Sequence, residues 1–510
     1  MNSEVELKLL IAPTDIWRLQ RHPLLKALTR RKLPSQRLVS VYYDTPDLAL
    51  RKHSVAVRLR RVGRRWLQTV KAEGSVAAGL HERPEWESET VENTLDFNAI
   101  NNPKLRKFLA AKELQQELRP VFLTEFVRSR RLLASSSGDI VEFALDRGDI
   151  RAGDQRLPIC EVELELKSGN PARLFEVALG LQETIPLRLE NVSKAERGYQ
   201  LATHAALAPG KAKTPELAEE LSAHDAFIRV MQSCLTHLQA NEAGALRGED
   251  PEFVHQMRVA LRRLRSALSV FSDLVPKEKA LPIREELRWL TAELDGARNW
   301  DVFVLETLPP IVASFPAHEG LGWLEAKSAE IRQQHNVRAR DAIASRRYQK
   351  LLLNLGAWLC TQPWRDTADV NAQVGPPVVD FAAQVLQKHH RQLEKRGKHI
   401  ATLSPPERHA VRIAAKKLRY AAEFFLSLYL RKQAHKYIAA LSGLQDVLGT
   451  LNDAATTIAL LQEIINVGEH DDSRQHAKET IHGWILGMSH VQLKDLERVW
   501  ENFLDQTTFW

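Results

Sequence analysis

Cys160-Glu161-Val162-Glu163-Leu164-Glu165 puts three glutamates on one face of a strand and apolar residues on the other. Three like charges in a row repel unless cations lie between them. The same alternation recurs through the first two hundred residues: Glu4, Glu6 and Lys8 oppose Val5, Leu7 and Leu9, while Arg58 shares a face with Arg60, Glu85 with Glu87, and Arg128 with Arg130. One such strand can be the solvated side of an antiparallel sheet. Here the signs sort by strand, so the acidic strands demand cations and the basic strands demand anions. An enclosed surface meets both demands when the acids hold a divalent metal and the bases hold phosphate.

Short alternating runs broken by turn residues continue to about residue 203. Turns are expected at Val62-Gly63 and across 135–139, and helices over 16–28, 104–117 and 172–183. This segment reads as a β-rich α+β domain over 1–205. Residues 207–215 carry two prolines, a glycine and lysines without periodicity, which places a linker at 206–220. From 221 to 510 the texture changes to long Ala-, Leu-, Glu- and Arg-rich stretches with helical spacing.

The helical half repeats itself. His255-Gln256-Met257-Arg258-Val259-Ala260-Leu261-Arg262 aligns without gaps on His409-Ala410-Val411-Arg412-Ile413-Ala414-Ala415-Lys416, at an offset of 154 residues. The same offset pairs Arg265 with Arg419, Phe271 with Phe425 and Asn299 with Asp453. Two copies of one helical unit are therefore expected, at about 221–370 and 375–510. On a helix, His255, Arg258, Arg262 and Arg265 fall in one arc beside the apolar stripe of Val254, Met257, Leu261, Leu264, Leu268 and Phe271. His409, Arg412, Lys416 and Arg419 reproduce the arc. No acids at helical spacing are expected to answer these bases within their own helices, so the arcs should line an anion-binding groove rather than a solvated face.

Glu4-Val5-Glu6-Leu7-Lys8 resembles the ExExK signature of the CYTH, or triphosphate tunnel metalloenzyme, superfamily. Further matching pieces follow in order: Val57-Arg58-Leu59-Arg60, Lys71, Glu85 with Glu87, Arg128, Asp146, the Glu161-to-Glu165 strand, and Ser193-Lys194-Ala195-Glu196-Arg197-Gly198-Tyr199. The resemblance implies an antiparallel β-barrel enclosing a charged tunnel. The helical half resembles the CHAD domain through its His-x-x-Arg-x-x-x-Arg-x-x-Arg helices, the 295–302 stretch and Leu448-Gly449-Thr450-Leu451-Asn452-Asp453. It departs from that pattern in carrying Asp295 where glycine is usual and Asn299 where an acid is usual. The expected architecture is a tunnel domain followed by an all-α helical bundle with an internal repeat.

Together the resemblances imply a metal-dependent inorganic triphosphatase, releasing diphosphate and phosphate, with a polyphosphate-binding helical domain. An adenylyl cyclase, a thiamine triphosphatase or a non-catalytic polyphosphate scaffold on the same tunnel stays open. The candidate phosphate ligands are Lys8, Arg58, Arg60, Lys71, Arg128, Arg130, Arg188 and Lys194. Glu4, Glu6, Asp146, Glu161 and Glu163 are the candidate ligands for Mg²⁺ or Mn²⁺, and Glu4, Glu6 and Lys8 the candidate catalytic set. His81 reads as a loop histidine rather than a base. His255, Arg258, Arg262, Arg265, His409, Arg412, Lys416 and Arg419 are the candidate polyphosphate ligands.

Composition narrows the remaining classes. A formal charge of +7 over 510 residues does not call for a nucleic-acid coat, and the basic helices lack interleaved stacking aromatics. Three scattered cysteines, Cys160, Cys234 and Cys360, have no metal-ligand spacing and suit a reducing compartment. No apolar run approaches a membrane span and the amino terminus opens acidic, so a cytoplasmic location without membrane association is expected.

Overall fold

Strands with one charged face need partners on both edges and a shielded interior. Ten antiparallel strands supply these: β1 (Ser3–Ile11), β2 (Thr29–Asp44), β3 (Ala56–Val62), β4 (Arg65–Lys71), β5 (Ser75–Ala77), β6 (Leu80–Thr90), β7 (Arg119–Ala134), β8 (Ile140–Ala152), β9 (Gln155–Ser168) and β10 (Leu187–Leu189). Their order is β10-β1-β9-β8-β7-β2-β3-β4-β6-β5, and β1 also pairs with β6. Eight strands, from β1 through β9, β8, β7, β2, β3 and β4 to β6, thus close into a barrel, with β5 and β10 added at the sides. The computed structural model describes residues 3–72, 74–92, 94–365, 375–465 and 472–510.

The period-two pattern decides what faces inward. Leu7, Leu9, Leu59, Val162 and Leu164 are fully buried on the outer face of the barrel wall, each contributing about 1.5–3 kcal/mol of burial. The helix Ala172–Gln182 packs on β1 and β9 there. The charged partners of these residues point the other way, into the barrel. A short turn at Gly63, in the left-handed region at φ 62°, joins β3 to β4, and the 135–139 turn joins β7 to β8, as the sequence pattern expects. The 16–28 helix divides instead into Ile16–Gln20 and Pro23–Leu28, because Pro23 cannot donate and holds His22 extended. The 104–117 segment likewise divides into Pro103–Leu109 and Lys112–Glu117 around an extended Ala111.

The helix Lys194–Thr203 begins at Ser193, whose hydroxyl accepts from the Glu196 amide at 3.2 Å. It lies flush on the barrel because residue 198 is glycine: a Cβ there would stand 2.1 Å from the Phe122 ring. Tyr199 then meets Phe122 edge-on at 5.1 Å, and Phe122 stacks on Tyr42 at 4.5 Å. This seating aims Lys194 into the barrel.

The chain forms two compact units. One is Met1–Ala208 with Arg346–Thr361; the other is Pro209–Ser345 with Gln362–Trp510. The sequence pattern assigns 346–361 to the helical half, yet the helix Arg346–Thr361 belongs to the barrel unit. It packs on Ala172–Gln182 and β10. Gln349 Oε1 accepts from the Leu189 amide at 2.9 Å, Lys350 reaches Glu183 at 2.7 Å, and Gly356 leaves room for the Phe175 ring. Gln349 thereby satisfies an edge amide of a three-residue strand.

The second unit is all helical. Its longer elements are Ala223–Ala240, Glu252–Val270, Lys277–Val302, Glu319–Ala344, Val378–Gly397, Pro405–Phe425, Arg431–Ile465 and Asp472–Leu504. The stripe of Val254, Met257, Leu261, Leu264, Leu268 and Phe271 is buried throughout. The repeat-related Phe271 and Phe425 meet at 5.6 Å, so the two copies share a core. The expected boundary between copies, near residue 370, lies outside the described residues. Among the described residues no helix is long and apolar enough to cross a membrane.

Candidate active site

The barrel encloses a cavity of about 320 Å³ whose wall is charged from both directions. β1 delivers Glu4, Glu6 and Lys8, β3 delivers Arg58 and Arg60, and β4 delivers Lys71; Arg83, Glu85 and Glu87 come from β6, Arg128 and Arg130 from β7, Glu163 and Glu165 from β9. Lys194 enters from the capping helix. Among the described residues nine bases and seven acids line the space, so its charge is set by local sorting more than by the total.

On one side the acids are answered. Lys8 Nζ lies 2.6 Å from Glu6 and 2.9 Å from Glu163. Lys194 reaches Asp146 at 2.7 Å, Glu163 at 2.8 Å and also Glu161. Arg128 grips Asp146 through two donors at 2.7 and 2.8 Å and also bonds Glu163, while Arg197 closes on Glu161. Burial would pull Lys8 down, but Glu163, Glu6, Glu161 and Glu4 outweigh it and raise its pKa above the ordinary lysine value. Burial would likewise raise Glu163, yet Lys194, Lys8 and Arg128 hold its carboxyl well below the usual range.

On the other side the bases are answered more loosely, Arg130 by Glu142 at 3.8 Å, and one is not answered by an acid. Arg60 donates to Ser40 Oγ at 2.9 Å and, among the described residues, has no carboxylate within ion-pair reach. Burial, then the neighbouring Arg58 and Arg128, pull its pKa down to about 9. Arg58 lies 3.6 Å from Glu85 and 3.5 Å from the Tyr42 hydroxyl. A buried guanidinium crowded by like charge is a standing demand for an anion.

Asp146, Glu161 and Glu163 form the group suited to a metal: one carboxylate oxygen from each lies within 4.8 Å of the others, and all three residues are buried. Hard oxygen donors in that number fit a divalent cation such as Mg²⁺ or Mn²⁺, with Lys194 and Arg128 as the charges it would compete with. Glu163 alone of the three also lines the open cavity; Asp146 and Glu161 sit beneath it, fully buried.

Arg188 stands apart from its predicted partners. It is exposed between buried Leu187 and Leu189 on β10 and does not line the cavity. Three residues are too short a strand to reveal their period in sequence. His81 lies in β6 rather than a loop; it bonds the Glu190 carbonyl at 3.0 Å, and burial pulls its pKa down to about 3. Sequence reasoning passed over Arg83, Ser40 and Arg197. Arg83 had a signal, since it shares a strand face with Glu85 and Glu87.

In the helical unit, Arg262, Arg265, Lys416 and Lys417 converge with Arg284 and Arg288 on a groove of about 400 Å³ that, among the described residues, no acid lines. Arg284 and Arg288, one helical turn apart on Lys277–Val302, were not anticipated. Burial, then Arg412 and Arg262, pull Lys416 down to about 8. The remaining candidates do not line this groove. Arg258 pairs with Asp295 at 2.7 Å and Arg412 approaches Asp453 at 3.9 Å. His409 is exposed, and His255 is half-buried with its pKa pulled down to about 4 through burial and Arg298. The expectation that no acid answers the arc from its own helix fails at Arg419, which reaches Glu423 at 3.4 Å one turn on.

The CYTH domain family matches residues 2–199 and the CHAD domain family matches residues 229–462. The chain is a CYTH domain followed by a CHAD domain. An inorganic triphosphatase of Haemophilus influenzae is 35% identical over 204 residues, which is 40% of this chain and 56% of that protein. The chain thus spans little more than half the length of that relative. An uncharacterised protein of Mycobacterium tuberculosis is 24% identical over 419 residues, or 76% of each chain. The crystal structure of a CHAD domain from the plant Ricinus communis is 33% identical, covers 60% of this chain and 99% of that one, and superposes with a TM-score of 0.53.

Proposed function

We propose that the CYTH unit hydrolyses inorganic triphosphate to diphosphate and phosphate. The observation that carries this reading is Arg60, a cation with no carboxylate partner among the described residues, on the wall of the same cavity as Glu163, the one member of the buried carboxylate trio that reaches it. The likeness to the Haemophilus triphosphatase supports it. Arg58, Arg60, Arg130 and Lys71 take the phosphate oxygens, the guanidinium groups by paired donors. Lys8, Arg128 and Lys194 stand where charge builds as the terminal bridging P–O bond breaks and water oxygen joins phosphorus. Glu4 and Glu6 orient that water and accept its proton. Asp146, Glu161 and Glu163 would hold Mg²⁺ or Mn²⁺, which when bound supplies Lewis-acid charge to the reacting phosphate, and Glu4 and Glu6 would help hold a second ion.

The CHAD unit is proposed to bind polyphosphate along the acid-free groove, with Arg262, Arg265, Arg284, Arg288, Lys416 and Lys417 as ligands. Three free cysteines suit a cytoplasmic setting. The test is ³¹P NMR of the full chain with triphosphate and Mg²⁺, alongside Glu161→Gln. One diphosphate and one phosphate per turnover, lost in the folded variant, is expected. No turnover by the parent protein would leave a binding scaffold in its place.

A further inference from the structure

Beside the tunnel lies a second cavity, also about 320 Å³, that the hydrolysis of triphosphate leaves unused. The two share five wall residues, Ala56, Lys71, Arg83, Ser193 and Ala195. Three of these are small, so Lys71 and Arg83 are the long side chains at the junction. Their engagement differs. Lys71 is taken by Glu4 and lies 3.4 Å from Glu85. Arg83 has no hydrogen bond or ion pair among the described residues, although Glu4 stands directly opposite it in the β1–β6 register. Gly74 lets the Arg83 stem pass: a Cβ there would lie 2.6 Å from Arg83 Cγ.

Beyond the junction the second cavity presents Arg51, paired with Glu196 at 2.6 Å. Among the described lining residues, Lys71, Arg83 and Arg51 thus face one acid, Glu196. A surplus of cations next to a triphosphate tunnel suits a further phosphate. It suits a nucleoside poorly, because Tyr199, the one aromatic side chain among the described lining residues, is 2% exposed and its ring carries the Arg51 guanidinium at 5.5 Å.

We propose that this second cavity is a subsite for the fourth phosphate of a linear polyphosphate, with Arg83 as the ligand at the junction and Arg51 as the ligand beyond it. The proposal rests on the triphosphatase reading of the tunnel. Arg83 is then a specificity-determining residue that sets how well a chain longer than three phosphates is held.

The test compares kcat/KM for inorganic triphosphate and linear tetraphosphate in the full chain with Mg²⁺. Arg83→Ala should lose roughly tenfold more on tetraphosphate than on triphosphate, the scale of one charged hydrogen-bonding contact. Arg83→Lys should recover part of that difference. Val192→Phe, at a residue lining the second cavity alone, should lower tetraphosphate turnover and leave triphosphate unchanged. Equal losses on both substrates, or no loss on either, would overturn the subsite. Should the parent protein turn over neither anion, the triphosphatase reading fails. The subsite is then read from calorimetric affinities for the same two anions, and affinity ratios that stay equal across the variants overturn it.

Discussion

The barrel and the helical groove both gather cations, but they leave different charges unanswered. In the barrel, seven acids sit among nine bases, and the strongest pairs are buried: Lys8 with Glu163, Arg128 with Asp146, Lys194 with all three carboxylates of the cluster. In the groove, six bases meet without a lining acid among the described residues. Ion pairing costs desolvation but fixes geometry, which is what positioning a phosphorus atom for attack requires. Unpaired cations on an open surface hold an anion loosely and by charge count, which is what retention of a flexible polyanion requires. The two units would thus handle one kind of chemistry, phosphate oxygens, by opposite strategies.

The sharpest way to break this contrast is at Glu163, on which Lys8, Lys194 and Arg128 all converge. Glu163→Gln should lower kcat on triphosphate by roughly 10²–10³-fold and lower the melting temperature, measured by phosphate release and calorimetry. Unchanged stability would mean that the buried network does not organise the wall. Arg60→Ala should also cut kcat/KM by roughly 10²-fold, but with melting temperature held or raised, since it removes a cation that lacks a carboxylate partner. A destabilised Arg60→Ala protein would contradict that reading of the cavity.

A smaller effect tests the helix that the barrel takes from the second half of the chain. Gln349→Ala strands the Leu189 amide in a buried position and should lower unfolding free energy by about 1–3 kcal/mol in urea titration. Coincident unfolding curves for the two proteins would show that water replaces the glutamine.

The smallest effect is one of pH in the groove. Lys416 has its pKa pulled to about 8, below the unfolded lysine value of 10.5. If the groove holds polyphosphate as proposed, the charged form of Lys416 is the one that binds, so affinity should fall as pH rises through 8, and less so in Lys416→Gln. Folding stability should move the other way. Between about 8 and 10.5 the unfolded state binds more protons, so stability from this group rises with pH. A pH-independent affinity would place the polyanion away from Lys416.

The sequence made the barrel legible where alternation was long and sign-sorted. β1, β3, β7 and β9 read directly, because a one-residue slip would turn every charge outward. Capping by Ser193-Lys194 came through the resemblance, and Gly198 against Phe122 gives its physical reason. What stayed hidden was tertiary allegiance. The helix Arg346–Thr361 carries one apolar stripe of Tyr348, Leu351, Leu352 and Leu355, with Leu353 buried beside it, and a stripe alone does not say which core it joins. In the groove, Arg284 and Arg288 match Ile438 and Ser442 at the repeat offset, so the repeat carries no signal for them. The repeat also concealed a shift. Arg258 finds its acid at Asp295, one helical turn earlier than the position matching Asp453, where Asn299 cannot carry charge. Each copy thus keeps an ion pair that strict alignment would have denied the first.

The central claim is that the barrel is a triphosphatase rather than a cyclase or a relic. It is tested most directly by phosphate release from the full chain at alkaline pH with Mg²⁺ or Mn²⁺, offering triphosphate, ATP, thiamine triphosphate and long-chain polyphosphate separately and assaying cyclic AMP in the ATP reaction. Strong preference for inorganic triphosphate is the predicted result. Cyclic AMP formation, or silence on every substrate beside tight polyphosphate binding, would contradict it.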